Sequence, residues 1–209
     1  MGYDERRDTI LMSGKRVLLI PIVLLLAACV GRDFTRPAPD SLRLGQTTWA
    51  EVAERYGKPF KESVYTLDGV DIVTKIYAYG SLAANHHQAK INSDGGAHKL
   101  EFKFHRNILV GYVYSSSRAE DHTDFDETKS AEIIKGVSTK ADVIKLLGKP
   151  GGYYIYPMIA SPSGDAAVYY YTETRAGVAK QTQTLSKLLV ITFAQNGVVS
   201  NVSLKMSLK

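Results

Sequence analysis

The chain has 209 residues, 44% of them hydrophobic and 22% charged, a composition and length that fit one large folded domain or two small ones. Its net charge is +5, and removing the four basic and three acidic residues of the first 28 leaves +4. A balance that mild and dispersed excludes nucleic-acid binding as the organising function.

Residues 1–28 read as a targeting segment. Val17 to Leu26 is an uncharged run of ten residues that follows Lys15 and Arg16 and precedes Ala27, Ala28 and Cys29, the only cysteine. A membrane span needs about 20 apolar residues, so the run fits a signal peptide instead. The order Leu26-Ala27-Ala28-Cys29 resembles the lipobox of bacterial lipoproteins. That resemblance implies that Cys29 is acylated and becomes the mature N-terminus. Several acyl chains anchor stably where one is marginal, at about 0.8 kcal/mol per buried methylene. Val30 stands where, in enteric bacteria, an aspartate retains a lipoprotein in the inner membrane, so the resemblance implies the outer membrane, facing the periplasm. The stretch before Met12 carries Asp4, Glu5 and Asp8, unusual in a signal, and Met12 is the expected initiator. With Cys29 acylated, no disulfide within the chain is expected.

Residues 29–40, with Pro37 and Pro39, are expected to form an extended lipidated tether. An internal repeat then organises the rest. Gly45 to Pro59 and Gly136 to Pro150 align at a spacing of 91 with seven identities. In each copy a Thr with an acidic residue three positions on (Thr48 and Glu51, Thr139 and Asp142) has capping-box spacing. Trp49, Val52, Ala53 and Tyr56 share one helical face, as do Val143, Ile144 and Leu147. Gly57 and Gly148 end the helices, with a proline two residues on. A further short helical turn is expected before each, in DSLRL and SAEIIK.

Strands are expected near 61–66, 71–79, 98–105 and 108–116. The second copy repeats them in YYIYPM, DAAVYYYTE, SKLLVITFAQ and VVSNVSLKMS, with a hairpin turn at Asn196-Gly197. The expected fold is α+β: two tandem helix-turn-helix plus antiparallel β-meander units, over 41–117 and 131–209, joined by an acidic linker at 118–130. The pattern G-x-[TS]-x4-V-x3-[LY]-G-x-P with an aromatic strand and hairpin resembles the small protein A / outer membrane lipoprotein A family. That family includes the small lipoprotein subunit of the β-barrel assembly machinery. Two copies in tandem also resemble the β-lactamase-inhibitor-protein architecture. The resemblance covers roughly residues 42 to 206 and implies a location and a scaffold more than a partner.

Chemistry is sparse. His86, His87, His98, His105 and His122 have neither the spacing nor the companions of a metal site. Glu120, Asp121, Asp124, Asp126 and Glu127 lack the register of a calcium loop and are expected to be a solvated linker. No catalytic residue, metal, small-molecule substrate or cofactor is expected beyond the covalent lipid on Cys29. The tyrosines stand out. Tyr169 and Tyr171, with Leu188 and Val190, are the candidates for a partner-binding face. The alternative is that these aromatics pack under the loop 174–185. The expected function is a non-catalytic protein-binding scaffold, or an assembly or stability factor, of a cell-envelope complex. An inhibitor or ligand-sequestering module using the curved sheet is the alternative.

Overall fold

Two helices close on the sheet by the same local chemistry. In the computed structural model, which describes residues 34–38, 40–80, 97–176 and 182–208, α1 runs Trp49–Tyr56 and α2 runs Lys140–Leu147. The hydroxyl of Thr48 accepts from the Glu51 amide while the Glu51 carboxylate accepts from the Thr48 amide at 2.7 Å. Thr139 and Asp142 form the same reciprocal box at 2.8 Å, so the shorter Asp reaches as well as Glu. Backbone hydrogen bonds to these N-caps hold the Glu51 and Asp142 carboxyls below their usual values. Gly57 and Gly148 terminate the helices at φ 75° and 79° with ψ near −151° and −166°. That region is open essentially only to glycine.

The expected helix-turn-helix is only half realised. DSLRL forms turns, and the second copy has a 3-10 segment over Glu127–Glu132. The reason is local. A stretch this short does not nucleate an α-helix, and a hydroxyl four residues on takes the free amide. Arg43 donates to Thr47 Oγ1 and Ile134 to Ser138 Oγ, both at 2.9 Å.

Eight antiparallel strands follow one another in simple chain order, so the two meanders form a single sheet. They are β1 Lys61–Leu67, β2 Val70–Gly80, β3 Ala97–His105, β4 Ile108–Ser116, β5 Gly152–Ile155, β6 Asp165–Ala176, β7 Thr182–Phe193 and β8 Val199–Leu208. The copies keep matching details. Register shifts occur at Lys103/Phe104 and at Thr192/Phe193. The hairpins differ by one residue. Arg106 and Asn107 both have positive φ in a two-residue turn, whereas in the second copy only Gly197 does. Asn107 therefore corresponds to Gly197: their carbonyls accept from Trp49 and Lys140, the first residues of α1 and α2.

Alternation gives the sheet two faces. Leu100, Phe102 and Phe104 pack against Val52 of α1; Leu189, Ile191 and Phe193 pack against Val143 of α2. A matched pair of tyrosines ties each helix end down: Tyr77 donates to the Gly57 carbonyl at 2.7 Å and Tyr169 to that of Gly148 at 2.8 Å. The segment from Phe34 joins the first of these cores, its ring 6.3 Å from Tyr77 and 4.5 Å from His98. Packing therefore begins inside the stretch expected to be tether.

Strand pairing joins the two halves where β4 meets β5, through Gly111–Tyr154, Tyr112–Tyr153 and Val113–Gly152. Glycine permits that approach. A Cβ on Gly152 would overlap the Tyr112 carbonyl, one on Gly151 the Tyr114 carbonyl, and one on Gly111 the Tyr154 ring. Changing Gly152 to Ala is expected to destabilise the protein by about 1–3 kcal/mol, since backbone must shift. Thermal unfolding of the variant checks this; an unchanged midpoint would contradict the close approach.

Candidate protein-binding face

The face of the sheet turned away from the helices carries an unusual centre. On β3 the outward row is Lys99, Glu101 and Lys103. Lys99 Nζ lies 2.8 Å from Glu101 Oε1, and Lys103 Nζ lies 3.4 Å from Oε2. A charged row on an open sheet face is ordinarily solvated, yet Lys103 is 9% exposed. Burial raises the Glu101 carboxyl, but the two lysines outweigh it and hold it below its usual value. Burial likewise lowers Lys99, and Glu101 more than restores it.

Tyrosines close around this row. The Lys99 ammonium sits 4.6 Å above the Tyr170 ring and 3.4 Å from its hydroxyl. Lys103 lies 5.6 Å from the Tyr65 ring centre. Tyr154 is buried beneath, its hydroxyl pushed well up by burial and then by the Glu101 charge. Such cation–aromatic contacts strengthen as they are desolvated.

The segment after β5 packs on the same face and meets Tyr65 there. Met158 and Ile159 pack with Val113, Val168 and Ala166 on this face, and the Tyr65 hydroxyl meets Met158 Sδ at 3.7 Å. Tyr65 lies on the edge strand β1, so the sheet curls enough for its first strand to meet the β5–β6 connection. Between that connection and β7–β8 runs a groove of 410 Å³, floored by Val190 and walled by Ser161, Asn201 and Ser203.

Register decides the tyrosine candidates. Leu188 and Val190 do lie on the open face, half-buried, opposite Tyr170 and Val168. Tyr169 and Tyr171 do not join them: Tyr169 pairs with Leu189, so both point to the helix side and are buried. The period of two separates the four residues grouped from the sequence. Tyr169 serves α2 through Gly148. Leu188 and Val190, like Met158, pack in part against the cluster of Val113, Tyr154, Ile159, Ala166 and Val168; of the expected covering loop, 174–176 and 182–185 are strand and 177–181 lie outside the described residues. Cys29 and the preceding Leu26, Ala27 and Ala28 lie outside the described residues, as do His86 and His87.

The acidic linker keeps Glu120, Asp124 and Asp126 exposed, as expected, but is pinned to the sheet by two buried side chains. Phe125 is buried in the second core, and Thr123 donates to the Tyr170 carbonyl at 2.8 Å. Lys187, 5% exposed, projects from β7 to ion-pair with Asp124 and, at 2.8 Å, with Glu127; it also donates to the Phe125 carbonyl at 2.8 Å. Asp121 pairs with Arg36 at 3.5 Å. Apolar Phe125 among the acids was the one sequence signal for this strap. Among the described residues no group of three His, Cys, Asp or Glu side chains is placed to hold a metal ion. His98 is buried among the rings of Phe34, Tyr79 and Tyr114, and the ring of His105 lies 3.2 Å from the Asp71 carbonyl.

Lys99, Glu101, Tyr65, Met158 and Lys187 carry no local sequence signal of a site. Tyr170 sat within the tyrosine run but not among the chosen candidates.

The strap's charges set a pH window. Hydrogen bonding to Lys187 first, and then its own backbone, holds the Glu127 carboxyl below its ordinary 4.5. That contribution is present above the ordinary value and is lost as pH falls through the lower folded one. Burial lowers Lys187, but Asp124 and Glu127 outweigh it and raise it above 10.5. Its contribution is full below that value and is lost only as pH rises through the folded one. Changing Lys187 to Ala is expected to cost about 2 kcal/mol and to flatten the acid limb of a stability–pH profile. Denaturant titrations from pH 3 upward check both.

No protein-family model and no curated protein matches the chain. Among solved structures it is similar to a Streptococcus mutans protein described as a putative beta-lactamase inhibitor protein. The two share 14% identity at a TM-score of 0.35, over 76% of this chain and 82% of that one.

Proposed function

We propose that this chain is an outer-membrane lipoprotein, anchored through acylated Cys29, whose periplasmic part binds another protein of the cell envelope on the open face of its sheet. It acts there as a non-catalytic scaffold or an assembly or stability factor. One observation carries the binding face: a lysine–glutamate–lysine row set among Tyr65, Tyr154 and Tyr170 on the side without helices. Tyrosine brings large contact area at low entropic cost, and aromatic residues are enriched at the centres of interfaces. Half-buried Leu188 and Val190 extend the apolar part of the face. The excess positive charge of the row favours a partner whose contacting surface is acidic. The anchor rests on the order of basic residues, apolar run and Leu26-Ala27-Ala28-Cys29.

Two measurements test this. Labelled palmitate is expected to enter the wild type and to be absent from Cys29→Ala; label in the variant would refute the anchor. In a mild-detergent pull-down from the native envelope, a stoichiometric partner is expected. Changing Tyr170 to Ala together with Lys99 to Glu should weaken its capture by at least about 30-fold, the scale of one interface hot spot. Undiminished capture by a folded double variant would remove the open face from the binding site.

A further inference from the structure

The first repeat exposes a feature that its fold does not require. After α1 the chain runs Gly57-Lys58-Pro59-Phe60-Lys61 into β1. Phe60 is 75% exposed, and Lys58 and Lys61 on either side of it are exposed too. The second repeat has Gly148-Lys149-Pro150-Gly151 at this place, with Pro150 buried as the chain enters the β4–β5 junction. An aromatic side chain between two cations is thus peculiar to the free turn. It is also held firmly, since the Phe60 amide donates to the Ile76 carbonyl at 2.8 Å. Nearby Glu62 is neutralised by Lys75, whose ammonium also lies 3.9 Å from the Trp49 ring centre. Glu54 and Arg55 in the last turn of α1 offset one another, so Lys58 and Lys61 set the local sign.

This turn lies at the end of the sheet where the anchored segment enters. Phe34 packs on Tyr77, the residue that follows Ile76 and whose hydroxyl meets the Gly57 carbonyl. Four residues separate Phe34 from Cys29, and five fully extended steps reach about 17 Å. A lipid on Cys29 would therefore tether Phe34 within about that reach of a bilayer.

Resting on the lipid-anchor proposal above, we infer that the Lys58–Lys61 turn is a second membrane contact: Phe60 inserts at the headgroup level of an anionic bilayer while Lys58 and Lys61 meet lipid phosphates. An acyl anchor combined with a basic, aromatic contact is a physically sound pair of signals. It fixes the orientation of the protein and leaves the open face of the sheet clear for a partner.

The test uses the full lipidated protein in phosphatidylethanolamine/phosphatidylglycerol vesicles with brominated acyl chains. Tryptophan is placed at position 60 (Phe60→Trp) or, as a control at the far end of the fold, at 137 (Val137→Trp), against the constant background of Trp49. Bromine is expected to quench the first more than the second. Each of Lys58→Gln and Lys61→Gln should weaken the contact about fivefold, and added salt should do likewise. Equal quenching at 60 and 137, with diacylglyceryl mass confirmed on Cys29, overturns this contact while leaving the anchor intact. Absence of that mass overturns both. Loss of a pulled-down protein on Phe60→Ser without quenching at 60 reassigns the turn to a protein contact.

Discussion

Everything on the open face depends on a three-residue ladder. Where β4 meets β5, Gly111, Gly151 and Gly152 let two backbones approach with no side chain between them. A side chain at Gly152 would have to occupy the place of a main-chain carbonyl. Because the ladder forms, two four-stranded meanders become one eight-stranded sheet, and Tyr154 of the second half comes under Glu101 of the first. Without it there would be two small units, each burying one face under a helix and leaving the other to water.

Continuity of the sheet also explains the treatment of charge. The Lys99–Glu101–Lys103 row belongs to the first half, as does Tyr65 beside it, while Tyr154 and Tyr170 come from the second. The linker works similarly on the helix side, where Lys187 reaches up from β7 to hold Asp124 and Glu127. Each paired lysine also lies against an aromatic ring, so the methylene stems contribute packing as well as charge.

The repeat made much of this fold legible. Caps, helix-ending glycines, strand positions and hairpins follow from short-range rules, and Thr48, Gly57 and Gly148 do what their positions imply. The face was less legible, for physical reasons. Tyr169 and Tyr171 look like surface aromatics in a run of three, but the register of β6 against β7 turns them to the helices and leaves only Tyr170 outward. Glu101 and Lys103 alternate with phenylalanines as exposed residues do, and nothing local reveals that Tyr154 and Tyr170, over 50 positions away, will close around this row. The acids of the linker point to solvent in composition, and only the distant Lys187 makes them a strap. Local pattern specifies elements, whereas burial of a face is decided by long-range closure.

Amide hydrogen exchange across the β4–β5 junction tests this account most directly. The Tyr114 amide donates to the Gly151 carbonyl at 2.9 Å, and Tyr112 faces Tyr153 one step on. If the sheet is continuous, these amides exchange as slowly as those at Phe102 and Leu189 in the two cores, all opening only with global unfolding. Fast exchange at Tyr112, Tyr114 and Tyr153 while both cores stay protected would show two separate units, and the shared open face would not exist.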